Sequence, residues 1–187
     1  MGKRVLQHVR RAIVFNTVAA YGRGPRQNPL PGYGLVATPA ELVRYIGARW
    51  RAGVMRVIYQ PLAGDVEKHF DDVSRLVWEM RDVTFAVDEI WRFQDSGWSP
   101  DSLSNIILAG RIRGITLTWT SQRPQPVDKA LVAQSTELYI GRTVREADIE
   151  KLQSEFPLSD EAAAAIRTIG HWQFVHARND GTWELVR

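Results

Sequence analysis

Cysteine is absent from the 187 residues. That excludes a disulfide framework, a thiolate zinc site and a cysteine nucleophile. Four histidines leave few other metal ligands. No run approaches the ~18 consecutive apolar residues that a membrane-spanning helix requires. The start, Met1-Gly2-Lys3-Arg4, is basic, but it is not followed by the apolar core of a signal peptide. Lysine is scarce as well: of the 24 basic residues, 20 are arginine, the better fork for phosphate and carboxylate. With 44% hydrophobic residues, these features predict a soluble intracellular chain, with residues 1–187 forming a single domain.

The net charge of +3 conceals a block pattern. Residues 1–56 carry ten basic residues against one acid, Glu41, whereas residues 57–109 carry four against ten acids. A basic block of this size can steer a polyanion. Its candidate phosphate contacts are Arg23, Arg26, Arg49 and Arg51. Proline and glycine cluster once, in Tyr21–Gly34, which predicts a long loop. The remainder alternates. Ala12–Asn16, Val54–Tyr59, Val83–Val87, Ile115–Thr120 and Glu137–Gly141 read as strands. Helices are predicted from Pro39 with Thr38 as cap, and over Glu67–Met80, Pro100–Ala109, Lys129–Gln134, Glu146–Glu155 and Ser159–Thr168. Trp172–Arg178 and Thr182–Val186 flank the turn signal Asn179-Asp180-Gly181, a C-terminal β-hairpin. Alternating helices and apolar strands imply an α/β fold with a mostly parallel sheet flanked by helices. In such sheets ligands bind beyond the carboxyl ends of the strands.

Two strand exits carry chemistry. Asp88 and Glu89 follow Val83–Val87, the Walker B pattern in which Asp88 holds the water shell of Mg²⁺ and Glu89 polarises an attacking water. Gln122 follows Ile115–Thr120, at the tip of the neighbouring strand, where a polar side chain can touch a γ-phosphate. Arg111 and Arg113 precede that strand, at the opposite end of the sheet, well placed for a neighbouring subunit or for DNA.

The segments FAVDE, GRIRGITLTWTSQRP and PVDKALVAQSTELYIGR resemble the HerA/FtsK superfamily of P-loop ATPases, and within it the small phage and viral ATPases of DNA packaging or morphogenesis. The resemblance covers residues ~10 to ~178. It implies a RecA-like (ASCE P-loop NTPase) fold and an ATPase using ATP and Mg²⁺, in a homo-oligomeric ring such as a hexamer. It also implies catalytic roles for Glu89, Gln122, Arg111 and Arg113. The implied partners are DNA without sequence preference and capsid or portal proteins, without a membrane, in the host cytoplasm or with the virion.

The sequence departs from the pattern where phosphates would bind. A cradle of the form G-x-x-x-x-G-K-[ST] is missing. Gly2-Lys3 reads as its remnant, but Arg4 replaces the hydroxyl that binds Mg²⁺. Asn16 stands where the family commonly has an acid. A catalytically inactive DNA-binding or assembly subunit of the same fold is therefore the alternative. The resemblance also implies a P-loop strand between Ile115–Thr120 and Glu137–Gly141, and the chain reads as starting after it. Ala12–Asn16 is expected to take that slot, which would put Gly22-Arg23-Gly24 where phosphates bind.

Overall fold

The computed structural model describes residues 6–17, 30–61, 65–94 and 99–187. Gly2, Lys3, Arg23, Arg26 and the Gly22–Gly24 loop lie outside them. The chain divides into two compact units, one of residues 1–93 and 99–121, the other of residues 94–98 and 122–187.

The first unit is built on five parallel strands: β1 (Arg11–Phe15), β2 (Gly34–Val36), β3 (Met55–Tyr59), β4 (Val83–Val87) and β5 (Ile115–Trp119). Their order across the sheet is β2-β3-β1-β4-β5. β4 is buried at every position, Thr84 included, as a strand apolar at its other four positions requires. The two faces follow the two-residue period of a strand. Phe15, Tyr59 and Phe85 share one face with Phe70 and Phe93, whose rings stack 4.0 Å apart. Val14, Ile58 and Ala86 pack on the other against Leu6 and Leu30.

Among its described residues this unit has α1 (Pro39–Arg49), α2 (Val66–Glu79) and α3 (Asp101–Ala109). α1 opens with a capping box: Thr38 Oγ1 accepts from the Glu41 N–H, and Glu41 Oε2 accepts from the Thr38 N–H. α2 is capped by Asp65, which accepts from the N–H groups of Glu67 and Lys68, and it buries Phe70, Val73 and Val77 on the sheet.

The second unit is a three-stranded antiparallel sheet, order β6-β7-β8, of β6 (Glu137–Ile140), β7 (Phe174–Arg178) and β8 (Trp183–Val186). It contains α4 (Lys129–Gln134), α5 (Glu146–Glu155) and α6 (Asp160–Thr168). The hairpin turns at Gly181, whose φ of 84° suits glycine, while Asp180 accepts from the Thr182 N–H.

Two expectations are corrected. β1 is central, but between β3 and β4. It takes no slot between β5 and β6, and the idea that Gly22–Gly24 inherits a phosphate site loses its basis. β6 lies in the other sheet, antiparallel to β7. The reason is legible in its side chains. Glu137-Leu138-Tyr139-Ile140 alternates exposed and buried, as a strand wetted on one face does. β2 has no counterpart among the expected strands: three residues at the end of a Pro/Gly-rich stretch carry too little periodicity to be read. Among the described residues, no helix is long and apolar enough to cross a membrane.

Candidate nucleotide site

β4 delivers Asp88 and Glu89 to the carboxyl edge of the sheet. The ladder extends one residue beyond the strand, with the Asp88 N–H donating to the Phe15 carbonyl at 3.1 Å. The chain then turns at Glu89, whose φ of 54° is left-handed, a costly conformation for a residue with a Cβ. Thr120 ties the turn down. Its hydroxyl donates to Asp88 Oδ1 at 2.8 Å and accepts from the Glu89 N–H at 3.1 Å. Thr17 Oγ1 donates to the Asp88 carbonyl at 2.9 Å. One hydroxyl thus fixes both the orientation of the Asp88 carboxylate and the strained backbone after it.

The two carboxylates differ in surroundings. Asp88 Oδ2 is buried and has no hydrogen-bond partner among the described residues. Asp88 also lines a hollow of about 20 Å³ with Leu6, Val14, Ala86 and Thr120, room for about one water. Burial holds its carboxyl above the usual carboxylate range, against the Thr120 hydrogen bond, while the Glu89 charge adds to the rise and Arg92 opposes it. The orphaned oxygen is a fit partner for a hard divalent cation or one of its waters. Among the described residues, no group of three or more His, Asp or Glu side chains is placed to hold a metal ion. Glu89 is buried, and its Oε2 accepts from the Trp91 indole N–H at 2.5 Å.

Thr120 and Trp91 are not among the residues the sequence singles out. Thr120 closes the strand read as Ile115–Thr120, but only the β4–β5 register, with Val87 opposite Trp119, sets it level with Asp88. Nothing in the sequence signals the side-chain bond from Trp91. Asn16 is fully buried and donates to Gln60 Oε1 at 3.2 Å. Gln122 is exposed and belongs to the second unit.

The arginines lie at the other edge of the parallel sheet, where strands begin. Arg111 is exposed on the turn before β5. Arg113, in the same turn, lies with its guanidinium 4.6 Å over the Trp78 ring and 4.0 Å from Glu79 Oε2. Arg49, the last residue of α1, and Arg51, in the turn that leads to β3, are exposed. Asp88 and Glu89 are therefore brought together with Thr120, and these four arginines are set at the opposite end of the strands.

No protein-family model matches the sequence, and no curated protein does. Solved structures do match. The genome packaging NTPase B204 from Sulfolobus turreted icosahedral virus 2 with AMPPCP aligns with a TM-score of 0.76 at 13% identity, over 100% of this chain and 87% of that one. The same protein with ATP-gammaS aligns with a TM-score of 0.76 at 16% identity over the same shares. B204, the DNA-packaging ATPase from Sulfolobus turreted icosahedral virus, aligns with a TM-score of 0.68 at 16% identity, again over 100% and 87%. The chain has the α/β fold of these P-loop-type NTPases: a mostly parallel five-stranded sheet flanked by helices, followed by an antiparallel hairpin.

Proposed function

We propose that this chain is a DNA-packaging or translocase-type ATPase domain, related to the HerA/FtsK group, that couples ATP hydrolysis to DNA movement. The observation that carries this reading is the Asp88–Thr120–Glu89 arrangement at the exit of a buried parallel strand, with Asp88 Oδ2 orphaned. The relatives in fold, which bind ATP analogues, support it. In this reading Asp88 holds the water shell of Mg²⁺, and the ion neutralises charge on the phosphates. Glu89 leaves Trp91 to polarise the attacking water. Gln122 reaches the γ-phosphate, and Gly2-Lys3 is the remnant of the phosphate cradle. Arg111 acts on the site of a neighbouring subunit in a homo-oligomeric ring, with Arg113 steadied by Trp78 beside it. Arg23, Arg26, Arg49 and Arg51 contact DNA phosphates, and capsid or portal proteins are the assembly partners.

The test is nucleotide binding and hydrolysis by the purified chain, with and without Mg²⁺. Glu89→Gln should abolish turnover and spare binding, since loss of a positioned base costs about 10²–10⁴-fold. Unchanged hydrolysis in that variant removes Glu89 from the mechanism. The second reading, a non-catalytic DNA-binding or assembly subunit, is favoured by Arg4 in place of a hydroxyl and by Asn16. Failure to bind nucleotide at millimolar concentration with Mg²⁺ selects it.

A further inference from the structure

All five strands of the first unit run parallel, so every segment leading into a strand lies along one edge. The register makes the alignment explicit. Arg11 pairs with Met55, and Val83 with Ile115, so the residues before these strands form a row. Hydrogen bonds knit the row together: the Met55 N–H donates to the Arg10 carbonyl, and the Asp82 N–H to the Arg113 carbonyl. Arginine occupies this row repeatedly. Arg10 precedes β1, Arg51 precedes β3, and Arg81 precedes β4. All three are exposed and make no ion pair among the described residues. Two further cations are steadied on indole faces. Arg11 lies 4.0 Å over Trp50, and Arg113 lies over Trp78. Glu79 and Asp82 interrupt the charge, and Glu79 faces Arg113. From β3 to β5 the row spans three strand spacings, about 14 Å, close to the ~12 Å width of the major groove.

We infer that this strand-start edge, opposite the carboxylate pair, is a binding surface for the phosphate backbone of duplex DNA. Exposed guanidiniums along one edge, without ion pairs among the described residues, suit phosphates, and they carry no base selectivity. A second copy of the chain is the competing polyanion, seated through its carboxylate edge. In the proposed ring Arg111, before β5, is the residue of this edge that serves a neighbour's site; Arg10, Arg51 and Arg81, before β1, β3 and β4, are the ones assigned to DNA, and the buried Glu89 of a second copy offers them no exposed carboxylate. The inference rests on the proposed function only for the identity of the polyanion.

The experiment measures binding of the whole chain to a short mixed-sequence duplex over a range of salt. A variant carrying Arg10→Gln, Arg51→Gln and Arg81→Gln should bind more weakly. Its slope of log K against log salt should shrink by about 2.7, at about 0.9 for each phosphate no longer neutralised. The corresponding three Arg→Lys substitutions should retain the slope, which separates charge from folding. A charge-matched variant with Lys68→Gln, Arg75→Gln and Arg142→Gln should behave as the parent. An unchanged slope in the first variant overturns the inference, as does a parent chain that ignores duplex at low salt. So does a parent oligomer that dissociates in the first variant, which would place the row between copies. Nucleotide binding is measured on the same proteins. If it fails while the slope change holds, the ATPase reading falls and the DNA surface stands.

Discussion

Asp88 is held in conflict with the stability of the fold. Its carboxyl is raised from an ordinary 3.8 mainly because burial disfavours the charged form. The folded chain therefore holds that proton more tightly than the unfolded chain does. Stability falls as pH rises from the unfolded value through the folded one, and the deficit persists above it. Asp88→Asn removes the ionisation but keeps an oxygen that can accept from Thr120. Its melting temperature should exceed the parent's near neutral pH, and the difference should vanish below the ordinary aspartate range. Added Mg²⁺ should raise the melting temperature of the parent and leave the variant unmoved. A variant less stable than the parent at neutral pH would contradict this account. Glu89 adds a second conflict, a left-handed backbone at a residue other than glycine, fixed by the Thr120 hydroxyl. Together these place strain at the strand exit, where chemistry needs charge held in advance.

The elements around the exit are secured by packing and caps. α2 holds the sheet through Phe70, fully buried, stacked on Phe93 and edge-on to Phe15 at 5.2 Å. Phe70→Ala leaves a cavity against β1 and should cost about 3–5 kcal/mol, a large share of a typical total of about 5–15 kcal/mol. Chemical denaturation measures it, and a loss below about 1 kcal/mol would mean that the site collapses around the gap. The α1 cap is worth less. Thr38→Ala removes one side of an exposed capping box and should cost about 1 kcal/mol. These elements were legible because each carries its signal locally: a threonine with a glutamate three residues on, and an apolar stripe at Phe70, Val73 and Val77. β5 and β6 were legible as strands, but the strands they pair with were not. Their partners are set by chain segments far away in sequence.

At the scale of the whole molecule, parallel topology separates the charges. In the first unit Asp88 and Glu89 stand where β4 ends, and Arg10, Arg51, Arg81 and Arg111 stand before strands begin. A ring that uses Arg111 on a neighbour's site should show complementation. Mixing Arg111→Ala subunits, which keep Glu89, with Glu89→Gln subunits, which keep Arg111, should restore part of the activity lost in each. Such an arginine supplied across an interface can be worth about 10³–10⁵ in rate. No recovery at any mixing ratio would remove Arg111 from the neighbouring site.

The sequence alone determined the identity and order of nearly all the elements, the Thr38 cap, the hairpin turn and the position of Asp88-Glu89 at a strand exit. Each is a short-range property, fixed by period, propensity and turn chemistry over a few residues. Tertiary structure decided what depends on distant partners. It set β1 between β3 and β4, moved β6 into an antiparallel sheet, and brought Thr120 level with Asp88 and Trp91 onto Glu89. Strand neighbours and side-chain bonds arise from burial summed over the whole fold, and no window of sequence contains that sum.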